Sequence, residues 1–500
     1  MSKPQAYYSW YNLSVQIVFA LCLGSLTYGY CFSIISTTLG QPGFYAYFGL
    51  AAVATDPNYA YTNRILGATS GLFSAGAFMG CWTMGWMCDA RGRKQALWIA
   101  ATISLVGSAL QAGSAAIGMF LFARWLTGYG VGNLVTLIPI MQAEISPPAS
   151  VVLVAGYTVA GWVGFGCFFA TNPNFQWRFP LAVACLWPLL TLAVSPWIPE
   201  SPRWLILRGS KDEAWTIIAK LHYNPADPEE LYARREFDQM CRQVENDRLY
   251  FEHESVVDLF RKPSYRKRMI CGFLTFFSNE SSGILVIYNY SVLIYKGLGQ
   301  TGYMPLLLSG VYVTLGAMGN WVNSMLVDRV GRKALFLTGL SGMLVSLIAE
   351  TALVRFYAGT AGHGGLSAAL FFIFLHLVFY GCCIDANSFV YCSEIFPTHI
   401  RPRGMAWSVG TLFLTTIPYL EAAPTAFATI GYRYYIVFII LTAINIPIIY
   451  FFFPETKGLS LEEIGEKFGD DVAIHLTNQV EDDKKEMEAN MSAFETVRDP

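Results

Sequence analysis

Charge is what this sequence has least of. Asp, Glu, Lys and Arg together make up 14% of its 500 residues, where a soluble domain carries about a quarter. The 33 basic and 35 acidic side chains nearly cancel to a net charge of -2, so the basic excess of a nucleic-acid-binding protein is missing. Eleven cysteines are present, mostly single and inside apolar runs (Cys22, Cys31, Cys81, Cys167, Cys185, Cys271). Neither zinc spacing nor the paired framework of a small secreted domain can be drawn through them, and they read as small apolar fillers. A nucleophile–base set, metal-ligand spacing and a phosphate loop are also lacking, so an enzyme is the weakest reading and neither cofactor nor metal is expected. The run Gly128–Tyr–Gly130–Val–Gly132 has no strand before it and reads as helix packing, not a dinucleotide site. What is abundant is apolar: 54% hydrophobic residues and a mean hydropathy of +0.41. These numbers describe a membrane protein.

A helix that crosses a bilayer needs about 20 mostly apolar residues. Such runs occur near 13–38, 66–87, 95–115, 118–141, 151–171 and 179–198, then again near 269–293, 304–326, 334–354, 366–391, 405–430 and 434–453. Between the groups lies a polar, charged stretch, 199–268. The expected fold is therefore all-α, with twelve transmembrane helices as two groups of six. The domains expected are an amino-terminal bundle (1–198), an inter-bundle loop (199–268), a carboxy-terminal bundle (269–453) and a tail (454–500). Lys and Arg collect on one side, in Arg91, Arg93 and Lys94, the 199–268 loop, Arg329, Arg332 and Lys333, then Arg401 and Arg403. The stretch 39–63 on the other side has neither. The positive-inside rule then puts both termini in the cytoplasm. The first run lacks a basic n-region and a small-residue cleavage site, so it reads as a retained span. The polar end of the tail reads as partly disordered.

Three short patterns occur twice. Asp89–Ala–Arg91–Gly92–Arg93–Lys94 is echoed by Asp328–Arg329–Val–Gly331–Arg332–Lys333 at an offset of 239. Glu144–Ile–Ser–Pro147 returns as Glu394–Ile–Phe–Pro397, offset 250, and Pro199–Glu200–Ser as Pro454–Glu455–Thr, offset 255. Six spans separate the members of each pair, so the halves point the same way through the membrane. Parallel repeats of this kind belong to alternating-access transporters with substrate near the midplane.

These motifs, with the span start Ala123–Arg124–Trp–Leu–Thr–Gly, Pro199–Glu200–Ser–Pro–Arg203–Trp–Leu, Ser393–Glu394–Ile–Phe–Pro–Thr–His–Ile–Arg401–Pro–Arg–Gly404 and Pro454–Glu455–Thr–Lys–Gly, resemble the sugar porter family of the major facilitator superfamily, and its fungal branch in particular. The resemblance runs from the second span to the tail. It implies the major facilitator fold and a cytoplasmic charge network that closes when the transporter faces outward. Onto that network it maps Asp89, Arg93, Glu144, Glu200, Arg203, Asp328, Arg332, Glu394, Arg401 and Glu455. A plainer reading leaves Arg93, Lys94, Arg332 and Lys333 to set topology alone. One segment departs from the family: Pro148–Ala–Ser150 runs straight into Val151, without the expected Arg-Gly or the glutamine further in. That puts the amino-terminal sugar contact in doubt.

Ionisable residues inside spans are functional candidates because burying them is expensive. Arg124 lies in the fourth span, where the family's proton symporters pair it with an aspartate of the first span. Here that stretch is Gly29–Tyr30–Cys31, and a thiol offers no carboxylate oxygen. The loss favours a facilitator, or an arginine left to meet an anionic substrate; a structural hydrogen-bond anchor is the competing role. Asn279 and Glu280 occupy the place of two sugar-binding glutamines, and Asn289 and Tyr290 follow. In a helix, positions 279, 283, 286 and 290 share one face. Asp385 and Asn387 replace the family's Gly-Pro-x-Pro-Trp segment. Tyr30, Tyr290, Phe389 and Trp407 are candidate pocket walls, and helix-gluing polar contacts are the alternative for Asn289 and Asn387.

The function expected is transport of a monosaccharide or related polyol by alternating access, downhill more readily than by proton symport. The partners expected are that small molecule, protons as a candidate co-substrate, and the lipid bilayer. A permease for a sugar-derived acid such as quinate, and a sugar sensor signalling through its tail, are the alternatives. The tail, short of fifty residues, argues against the sensor.

Overall fold

The computed structural model describes residues 13–51, 55–145, 155–221, 231–251, 257–357, 363–397, 400–459 and 461–469. The departure around Ser150 and the end of the tail from 470 lie outside these residues. Among those described, every regular element is a helix. The spans begin with Leu13–Thr38, Tyr59–Arg91, Arg93–Ala112, Ile117–Ile145 and Ala155–Cys167. The sixth is the pair Pro173–Val183 and Leu186–Val194. The second half mirrors this order, with an eighth span Met304–Val330, a ninth Arg332–Tyr357, an eleventh Arg401–Thr429 and a twelfth Arg433–Phe452. Helices therefore occupy all twelve positions expected from hydropathy.

Seven stretches are long and apolar enough to cross a bilayer outright. Among the described residues five spans fall short: the fifth is described over 13 residues only, the seventh is broken, and the fourth, eighth and eleventh carry interior polar residues. Arg124 is 1% exposed and Asn323 fully buried, and such groups are tolerated at membrane depth only where protein surrounds them.

Breaks occur where the sequence demands them. The sixth span starts at Pro173, an N1 proline behind an Asn172 cap that accepts from the Asn174 N–H, so it begins earlier than hydropathy alone indicates. The seventh span is not one helix. It runs Pro263–Glu280, then turns at Gly283 with φ +80°, and resumes as Ile284–Asn289 and Ser291–Gly297. A residue with a Cβ is strained at that φ. The common face expected for positions 279, 283, 286 and 290 therefore does not exist. The tenth span is also broken, into His363–Cys383 and Asp385–Ile395, but at Ile384 with φ -114°.

Within each half the second and third spans hold the fourth, and the eighth and ninth hold the tenth. The halves meet along the second and eleventh spans, the fifth and eighth, and the first and seventh. The described residues of the inter-bundle segment form the helices Pro202–Leu207, Lys211–Leu221, Leu231–Phe251 and Asp258–Arg261. Leu205, Ile206, Ala214 and Val244 form a small core of their own there. A last helix, Leu461–Phe468, docks against the start of the seventh span, where Arg268 lies 5.0 Å over the Phe468 ring.

Candidate functional site

The sequence repeat becomes a repeat of geometry at the basic end. Arg93 grips Glu144 through two parallel bonds, Nε to Oε2 at 3.0 Å and Nη2 to Oε1 at 2.9 Å. Arg332 grips Glu394 in the same way at 3.1 and 2.7 Å, and adds Asp328 at 3.0 Å. Each guanidinium also donates Nη1 back to its own turn, to the carbonyl of Cys88 or of Val327. Fork-to-fork pairing of this kind fixes both direction and distance.

Glu200 and Glu455 do something else. Glu200 accepts from the backbone N–H groups of Arg93, Lys94 and Ser201. Glu455 accepts from those of Arg332, Lys333, Thr456 and Lys457. Each carboxylate sits on the first turn of the third or ninth span, where unpaired N–H groups and the helix dipole favour an anion. Burial pushes the Glu455 carboxyl up, but its four backbone donors outweigh burial and hold it below the ordinary carboxylate range. The glycines of the two loops make this approach possible. Gly92 has φ +89° and Gly331 φ +107°, and a Cβ there would come within 2.5 Å of Glu200 and 2.9 Å of Glu455.

The two clamps lie within their own halves. Charges also face one another between halves. Arg403 stands within electrostatic range of Asp89, and Arg401 within range of Glu144, Glu394 and Arg203. Arg401 itself donates Nε to the Phe396 carbonyl at 3.2 Å.

Between the halves lies a cavity of about 90 Å³, room for about six waters at ~15 Å³ each. Two carboxyls reach it, Glu280 from the end of the first seventh-span helix and Asp385 from the break in the tenth. Asp385 Oδ2 accepts from Asn320 at 2.7 Å, and its Oδ1 from the Tyr380 hydroxyl at 3.1 Å. Glu280 accepts only a long bond from Thr416, 3.4 Å. The remaining walls are aromatic and aliphatic: Tyr28 and Tyr157 from the amino half and Tyr288 and Tyr312 from the carboxy half, together with Ile284, Leu285, Val313, Leu377 and Leu412. The tyrosine rings contact in sequence, Tyr28–Tyr157 at 5.9 Å, Tyr157–Tyr288 at 5.5 Å and Tyr288–Tyr312 at 6.4 Å.

Of the substrate residues expected from sequence, Glu280 and Asp385 line this cavity together, and so does Phe389. The others are engaged elsewhere. Asn279 donates to Ser388 at 3.4 Å, and Asn289 to the Leu285 carbonyl. The Tyr290 hydroxyl bridges to the carbonyls of Leu420 and Leu66, tying seventh, eleventh and second spans at the end away from the basic loops. Tyr30 donates to the Pro180 carbonyl. Asn387 donates to the Arg332 carbonyl, beside the clamp. Trp407 donates to the Met269 carbonyl and packs between Phe260 and Trp82. Arg124 stands by Cys31 as expected, but donates to backbone, to the carbonyls of Cys31 and Thr69, with Phe73 4.3 Å from its guanidinium.

Sequence reasoning missed Asn320 and the tyrosines. Tyr312, Gly316 and Asn320 recur every four residues along the eighth span, one face of a helix, and that period marks the wall. It also passed over Glu350, an ionisable residue fully buried in the ninth span.

The family model for the sugar (and other) transporters matches residues 17–468. The chain belongs to the sugar porter family. Among relatives of this sugar porter, the MFS-type transporter criB of Aspergillus cristatus is 30% identical over 480 residues, covering 94% of this chain and 96% of that one. The Sugar transporter STL1 of Saccharomyces cerevisiae is 28% identical, with coverage of 80% and 72%. A probable quinate permease of Aspergillus terreus is 29% identical, with 93% and 88% covered. The solved structure of the proton:xylose symporter XylE bound to 6-bromo-6-deoxy-D-glucose superposes with a TM-score of 0.75 at 22% identity, covering 91% of this chain and 99% of that one. That likeness gives the sugar porter its fold: the major facilitator arrangement of twelve spans in two six-helix bundles. It is an integral membrane transporter.

Proposed function

We propose that this sugar porter moves a monosaccharide or related polyol across the plasma membrane by alternating access. Bundles 1–198 and 269–453 rock about the cavity, with the 199–268 segment and the 454–500 tail on the cytoplasmic side. One observation carries the reading: a cavity between the halves that mixes hydroxyls, an amide, carboxyl acceptors and aromatic faces. A sugar needs that mixture, with ring faces against its C–H surface and polar groups for its hydroxyls. The Arg93–Glu144 and Arg332–Glu394 clamps hold the basic end of each half in shape. Asp89 with Arg403, and Glu144 with Arg401, then close the two ends on each other. Such surface-proximal pairs are weak enough to break and reform in each cycle.

Transport runs downhill on this account. Cys31 stands where a symporter's proton-loading carboxylate would face Arg124, and that arginine is occupied by backbone carbonyls. The test is uptake of a labelled sugar and polyol panel in a yeast lacking its hexose carriers, with and without a protonophore. Uptake that equilibrates and survives the protonophore supports the reading. Accumulation above the outside concentration that collapses with the proton gradient makes Asp385 or Glu280 the proton carrier instead.

A second reading, a permease for an acid such as quinate, draws on relatives with that name. The cavity counts against it, since two carboxyls and no Arg or Lys stand among its described lining residues.

A further inference from the structure

The cavity holds two acidic side chains, more than a neutral sugar requires. Glu280 and Asp385 line the same small space, 2% exposed in the case of Glu280. Arg, Lys and His are all absent from its described lining. The nearest base on the tenth span, His376, lies one turn before Tyr380 and is itself fully buried outside that lining. Two carboxylates at membrane depth without a counter-charge are unfavourable, and either a proton or a bound cation relieves the repulsion.

Their surroundings fit a cation of a particular kind. Asp385 receives two neutral donors and Glu280 one long one, so acceptor capacity remains at both. The Tyr288 and Tyr312 hydroxyls are buried without a partner. Around them the rings of Tyr28, Tyr157, Tyr288 and Tyr312 touch in sequence, edge to face for the first two contacts and stacked for the last. An ammonium group has three donors and no acceptor, and aromatic faces attract it through their quadrupoles. An unpaired carboxylate ligand would meet repulsion at both acidic groups.

We propose that the preferred cargo of this cavity is a polyol or sugar bearing a protonated amine, its ammonium held between Glu280 and Asp385 against the tyrosine wall. The inference rests on the transport reading above and narrows its substrate class. Neutral polyols enter the same space with weaker affinity, and carboxylate-bearing ones are rejected.

The experiment uses three compounds that differ at one carbon: glucitol, its 1-amino-1-deoxy analogue glucamine, and gluconate. Uptake of each labelled compound is measured at neutral pH into proteoliposomes holding the purified full chain. The expected result is a KM for glucamine about tenfold or more below that of glucitol, the ratio of one charge-assisted hydrogen bond, with gluconate weaker than both. Asp385→Asn and Glu280→Gln narrow the amine-to-neutral ratio to about threefold or less, a ratio that is independent of expression level. Equal KM values for glucamine and glucitol in the wild-type protein overturn the inference and leave the sugar reading standing, as does a preference for gluconate. Uptake of none of the three by monodisperse protein overturns both.

Discussion

Replacing Arg332 by Ala removes more from this molecule than one ion pair. The guanidinium holds Glu394 at 2.7 and 3.1 Å, Asp328 at 3.0 Å and the Val327 carbonyl at 3.2 Å. Its side chain is 8% exposed, whereas those of Glu394 and Asp328 are 24% and 77% exposed. Breaking a fully buried pair costs about 3–5 kcal/mol and an exposed one about 0–1. The Glu394 contact lies between these limits, at about 2 kcal/mol, and the Asp328 contact adds little. The clamp is internal to its bundle, so roughly half of this reaches the rocking equilibrium, through the positions of Glu394 and Arg401. A change of about 1 kcal/mol is about fivefold in the open-to-closed ratio at the basic end. The assay is the rate at which a membrane-impermeant maleimide, applied from the basic side, labels a cysteine placed on the cavity wall at Gly316. We expect that rate to rise about fivefold in Arg332→Ala, with the equilibrium affinity for substrate changed by less than twofold. Arg332→Lys, which keeps charge but loses the fork, should fall between. Unchanged labelling with normal transport refutes the clamp. So does an affinity loss as large as the change in labelling, because the residue would then act on the cavity.

Glu280→Ala should weaken substrate binding by about 10- to 150-fold, the loss of one charge-assisted hydrogen bond of about 1.5–3 kcal/mol; an unchanged apparent KM moves Glu280 to a structural role. Gly331→Ala should lower thermal stability in detergent by about 1–2 kcal/mol, because φ +107° strains any Cβ and the Cβ would meet Glu455 at 2.9 Å. A melting temperature equal to wild type removes that argument. Glu455 has its carboxyl held below the usual range by backbone donors, so its stabilising contribution is present above the unfolded-state pKa and is lost as pH falls through the lower folded-state value. The stability gap between wild type and Glu455→Gln should therefore be full at neutral pH and close only in acid below the ordinary carboxylate range. A gap that closes between pH 6 and 7 would contradict the assignment of that contribution to Glu455.

The twelve spans were legible because hydropathy is a property of long windows, and a helix of about 20 apolar residues leaves little room for error. The residues of the clamps stood out for a different reason, since the repeat put Arg93 and Arg332, and Glu144 and Glu394, in equivalent positions; which arginine holds which glutamate was not read from the sequence. What Glu200 and Glu455 bind was not legible, since a motif of side chains says nothing of backbone N–H groups left open at a helix start. The cavity was half legible. Glu280 and Asp385 stood out as carboxyls inside spans, but a face drawn through a continuous seventh helix fails at Gly283, where the chain turns at positive φ. Tyr290 and Asn289 lie beyond that turn and point to other partners. The tyrosines escaped notice because 28 of them are scattered along the chain, and most tyrosines in a membrane protein belong to its interfacial belts. Trp407 carries the same lesson: an indole in a span near the basic loops is as easily an anchor as a wall.

Counterflow in proteoliposomes tests most directly the claim that this cavity is where sugar crosses. Vesicles loaded with an unlabelled sugar or polyol and diluted into a trace of the labelled compound should show a saturable overshoot. Gly316→Trp, whose new side chain would occupy the space beside Leu377 and Tyr312, should abolish the overshoot in protein that remains monodisperse. An overshoot that survives Gly316→Trp, or its absence for every sugar and polyol tried with the wild-type chain, would contradict the account.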